Sequence, residues 1–90
     1  MPPKRIKPEQ RVDFRLTLQE RDLIIERTFI DAEMEERLRA APRLGSRLIV
    51  QLTLDDVDGL AGHVAAEANY CAAPRVRRAL EAVYDRLANI

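Results

Sequence analysis

Ninety residues make one domain, short enough that core burial leaves only a modest stability margin. Fifteen basic residues cancel fifteen acidic ones, which excludes a global field that would draw the chain to nucleic acid or an anionic membrane; such contact needs a local patch. At 47% hydrophobic and 33% charged, without tryptophan, the composition suits a helical globule with a well-solvated surface.

No stretch approaches the apolar length of a membrane span, and Met1 to Pro8 has charge without an apolar core. The single Cys71 cannot form an internal bridge. A cytoplasmic setting is therefore expected, with no membrane contact.

Residues 1–10, MPPKRIKPEQ, show no apolar period and are expected to form a flexible basic tail, leaving 11–90 as a single compact domain. Val12-Asp13-Phe14-Arg15-Leu16 alternates apolar and charged residues, the pattern of a half-buried strand. Thr17-Leu18-Gln19-Glu20 then reads as a capping box opening a helix that carries Leu18, Ile24, Ile25 and Phe29 on one side and Leu23 and Ile30 on another. Asp31 caps a second helix, Ala32 to Ala41, stopped by Pro42, with Arg43-Leu44-Gly45-Ser46 as the connection.

Arg47 to Leu52 is a nearly continuous apolar strand, so both of its faces are expected to be covered. Thr53 with Asp56 repeats the capping box, with a shorter carboxylate and therefore a weaker expected bond. Pro74 opens the last helix, where Val76, Leu80, Val83, Leu87 and Ile90 form an apolar stripe and Arg77 and Glu81 stand four apart.

FRLTLQERDLI and VQLTLDDVDGL match at a constant offset of thirty-six positions, Leu16-Thr17-Leu18 falling on Leu52-Thr53-Leu54. The fold class expected is therefore α+β, mainly helical: two strand-helix-helix halves around a short two-stranded antiparallel ribbon, with four helices.

The helix from Thr53 to Ala72 is expected to be central. Leu54, Val57, Leu60, Val64, Ala68 and Cys71 form a core face, and Gly59, Gly62 and Ala66 line up opposite as small residues that admit a second element. Between these sectors lie Asp56, His63, Glu67 and Tyr70, with Asn69 beside them, as the candidate polar site.

His63, Glu67 and Cys71 rise four and four along that helix, but the chain has one His and one Cys, and no metal or cofactor is assigned. Acid-base work by His63 and Glu67 stands against a plainer reading in which Glu67 bonds a backbone group, Asn69 or Tyr70. Arg75, Arg77 and Arg78 sit at a helix start, where cations oppose the helix dipole, so an anionic partner or Glu35 and Glu36 of the first half should offset them.

Gly62 to Asn69, GHVAAEAN, and the later Leu80 to Leu87 resemble a segment of small bacterial proteins of unknown function in which Ala-Ala-Glu-Ala-Asn is followed by His. Tyr70 stands where that His would be, so the resemblance implies a relative in fold and attaches no activity. The expected function is a non-enzymatic protein interaction or accessory module, its partner a different protein or a second copy of the chain, with Gly59, Gly62 and Ala66 as the partner surface. The alternatives are nucleic-acid contact through Arg75, Arg77, Arg78 and the tail, and a metal or acid-base site at His63 and Glu67.

Overall fold

Alternation in the first strand and β-branched residues in the later one bring together two extended segments with a matching apolar face. The computed structural model describes residues 10–90; apart from Gln10, the expected basic tail lies outside the described residues. Its elements are β1 (Val12–Thr17), α1 (Leu18–Arg27), α2 (Ala32–Ala40), β2 (Arg43–Leu44), β3 (Arg47–Leu52), α3 (Leu54–Tyr70) and α4 (Pro74–Ala88). The fold is α+β and mainly helical.

β1 and β3 pair antiparallel, with Val12 opposite Leu52, Phe14 opposite Val50 and Leu16 opposite Leu48. Because strand side chains alternate, these six share one face, which the helices cover. The other face is open. Asp13, Arg15, Arg47 and Gln51 are exposed on it and Ile49 is half-buried, so β3 is covered on one face and not on both as its apolar run implies.

A third strand adds to the expected pair: β2 joins β3 to give the order β1-β3-β2. Leu44 pairs with Arg47 around Gly45-Ser46, and Gly45 has φ +64°, which a residue without Cβ adopts freely. A glycine at the first central position is what a two-residue hairpin needs, and it turns the expected connection into a short strand.

Both Thr-capped helix starts form complete capping boxes. Glu20 N–H donates to Thr17 Oγ1 at 3.1 Å and Thr17 N–H to Glu20 Oε1 at 2.9 Å; the matching bonds at Thr53 and Asp56 are 3.2 and 2.9 Å. The shorter Asp side chain reaches as well as Glu, contrary to the expected weakening. Asp31 caps α2 by accepting from Met34 N–H at 2.8 Å.

Ile24, Leu38, Leu60, Val64, Leu80, Val83 and Leu87 close the core, and α4 packs against both α3 and α1. The second pair of helices is the longer: α3 has 17 residues to α1's 10, and α4 has 15 to α2's 9. The excess is about two turns on each arm. Among the described residues, no helix is long and apolar enough to cross a membrane.

Candidate functional site

Two arginines tie the halves together crosswise. Arg86 of α4 grips the Glu20 cap carboxylate with both Nη atoms, at 3.0 and 2.7 Å, and donates at 3.1 Å to the Arg15 carbonyl. Arg37 of α2 pairs with the Asp56 cap carboxylate at 3.0 Å and donates to the Gln51 carbonyl. Burial pushes the Glu20 carboxyl up, but the Arg86 guanidinium and the Thr17 amide outweigh it and hold its pKa below the ordinary value. At Asp56, burial is likewise outweighed by the Thr53 amide and Arg37. Asp56 is therefore engaged in a structural clamp, and it also shares the lining of a small cleft with His63.

Glu67, Asn69 and Tyr70 of the expected polar site do not line that cleft. His63, Asn69 and Tyr70 are exposed, Tyr70 at 88%, while Glu67 is half-buried. Glu67 makes no hydrogen bond to Asn69 or Tyr70 among the described residues. Among the described residues, no group of three or more His, Cys, Asp or Glu is placed to hold a metal ion. The Cys71 thiol is buried beyond the last turn of α3 and donates to the Ala73 carbonyl at 3.6 Å, away from the exposed His63.

The small-residue strip is where the expected double coverage of α3 fails. Gly59, Gly62 and Ala66 are all exposed, and a Cβ built on either glycine would meet nothing within 4 Å. The neighbouring elements stack on the opposite, Val57-Leu60-Val64 side, so α3 is covered on one side only. At about 100° per residue, Asp55, Gly59, Gly62, His63, Ala66 and Tyr70 form one continuous solvent face. Asp56, Gly59 and His63 line the small cleft of about 120 Å³ with Ile30, Asp31, Met34 and Asp55. Next to Ile30 stands Phe29, 90% exposed beyond the end of α1 and not on the side of that helix as its spacing suggests.

Arg75, Arg77 and Arg78 do not act as a cluster. Arg77 donates to the Cys71 carbonyl from Nε at 3.3 Å and Nη2 at 3.0 Å, in place of a pairing with Glu81. That carbonyl lies at the negative end of α3, which offsets the misplaced cation at the start of α4. Arg75 lines a cleft of about 670 Å³ between α1 and α4, with Glu20, Asp22, Leu23, Glu26 and Val76. Arg78 is exposed. Glu35, expected to face these cations, pairs instead with Arg39 at 3.3 Å.

Residues overlooked in the sequence are the arginines of the open sheet face, Arg11, Arg15 and Arg47, all exposed. Their signal was the period-two alternation around Phe14 and Val50, which sends odd-numbered side chains away from the core. Set against protein-family models, curated proteins and solved structures, the chain has no match.

Proposed function

We propose that this chain is a non-enzymatic interaction module that seats a helix of a partner on the outer face of α3. The observation that carries this reading is the bare strip of Gly59, Gly62 and Ala66. Small residues at helical spacing let a second backbone approach closely, and an exposed aromatic at one end offers an anchor. Tyr70 occupies that end. The ionised carboxylates with lowered pKa, Glu20 and Asp56, are engaged by caps and arginines, which suits a scaffold more than a catalyst.

A photo-crosslinking residue at Ala66, compared with one at the exposed Ala82 of α4, tests the reading. A discrete adduct at position 66 and none at 82 is expected, either to a second copy or to another protein. Sedimentation of the purified chain across concentration separates these cases: a dimer lost in Gly62→Glu identifies a second copy. Equal or absent crosslinking at the two positions would overturn the proposal.

A further inference from the structure

Zero net charge conceals a separation of charge between the layers. The described strand and hairpin residues, 10–17 and 42–53, carry Arg11, Arg15, Arg43 and Arg47 against Asp13 alone. The remaining described residues carry eight arginines against thirteen carboxylates. A basic sheet thus backs onto an acidic helical layer.

Three of these arginines share the open face. Arg15 is paired in register with Ile49, and Arg47 with Thr17, all odd-numbered positions pointing away from the core. Arg11 lines a shallow cleft with Asp13, Ile49 and Gln51, which puts it on the same face; Arg15 and Arg47 line a second with Asp13. None of the three guanidiniums pairs with a carboxylate among the described residues; ion pairs engage Arg21, Arg37, Arg39 and Arg86. The one acid on the face among the described residues, Asp13, is held by Gln51 Nε2 at 3.5 Å.

We infer that this open sheet face binds nucleic acid through its phosphates, with Arg11, Arg15 and Arg47 as the contacts. Arg11 and Arg15 are about 13 Å apart along the strand, and Arg47 continues the row on the neighbouring strand. A phosphodiester chain supplies anions repeatedly along such a row, and guanidinium matches phosphate with two parallel donors. Lys4, Arg5 and Lys7 precede Arg11 in the sequence and add charge of the same sign. A protein partner fits this face less well, because Leu44 and Ile49 are its only large apolar residues among those described and a protein interface needs an apolar centre. Phe14 points into the core beneath Arg86, so no aromatic of the sheet is offered for base stacking, and recognition is indifferent to sequence.

The test is binding of the full chain to a labelled oligothymidylate and to a duplex of equal length across a salt series. Three phosphate contacts predict a log–log salt slope of roughly −2 to −3. Replacing Arg11, Arg15 and Arg47 together by Gln should flatten the slope by roughly 2 and weaken binding at least about tenfold at low salt. Arg75→Gln with Arg78→Gln should leave both unchanged. The two oligonucleotides distinguish single-stranded from duplex ligand. Unaltered urea midpoints in the triple variant show that the fold is intact. Retained binding in the triple variant would overturn the inference, as would loss of binding through Arg75 and Arg78. It would also be overturned if low salt produced only self-association, with the basic face meeting the acidic layer of a second copy.

Discussion

Phe14 and Val50 face each other across the β1–β3 ladder, and they are also thirty-six positions apart, the offset at which the two halves match in sequence. Phe14 therefore pairs with its own counterpart. The neighbouring pairs follow: Val12 meets Leu52 and Leu16 meets Leu48, the same pair read from opposite halves. The arginine clamps obey the correspondence, since the carbonyls they reach belong to Arg15 and Gln51 and the carboxylates to Glu20 and Asp56. Beyond the matched part lie the added turns of α3 and α4, which carry Glu67, Asn69, Tyr70, Arg75, Arg77 and Arg78.

The clamps make stability sensitive to acid. Glu20 and Asp56 have folded pKa values below their unfolded ones, so near pH 4 the unfolded chain binds more protons. Their contribution is complete above the unfolded value, about 4, and is lost as pH falls through the lower folded values. Urea midpoints should be flat from neutral pH to about 5 and drop below it. The Glu20→Gln, Asp56→Asn double variant should be weaker at neutral pH and show a shallower acid drop.

The two clamps should differ in strength. Arg86 binds Glu20 through two nitrogens and lies 5.6 Å from the Phe14 ring centroid, whereas a single Arg37 nitrogen pairs with Asp56. Double-mutant cycles with Ala should give a coupling of about 1–2 kcal/mol for Glu20–Arg86 and less for Asp56–Arg37. Arg86→Lys should lose most of the first coupling, because an ammonium cannot fork.

Glycine replacements distinguish bare surface from constrained turn. Gly59→Ala and Gly62→Ala add a Cβ into open space within a helix and should each raise stability by about 0.5–1 kcal/mol, read as a higher thermal midpoint. Gly45→Ala has equal room but a left-handed backbone, and should lower stability by about 1 kcal/mol.

Core truncation should follow burial. Leu60→Ala and Leu80→Ala remove side chains that are fully buried and should destabilise by about 2–5 kcal/mol in urea unfolding. Leu44→Ala, on the exposed hairpin, should stay within about 0.5 kcal/mol of the parent chain.

Local chemistry was legible in the residues themselves. The capping boxes at Thr17 and Thr53 and the Asp31 cap bond over three positions, and Pro74 opens α4 through its fixed φ, so local sequence specifies them. Antiparallel pairing of the matched strands followed from their alternation and their shared offset. Two-residue β2 has no period to read, and only the turn at Gly45 creates it. Coverage was not legible either, because a strip of Gly59, Gly62 and Ala66 looks the same whether a helix or water lies against it. Tertiary structure alone decided that water does within this chain, that Arg77 turns to the Cys71 carbonyl, and that Arg86 finds Glu20 sixty-six positions away. The Arg86–Glu20 contact depends on which surfaces meet when the halves close, and the Arg77 bond, though only six positions long, depends on how the chain turns between α3 and α4.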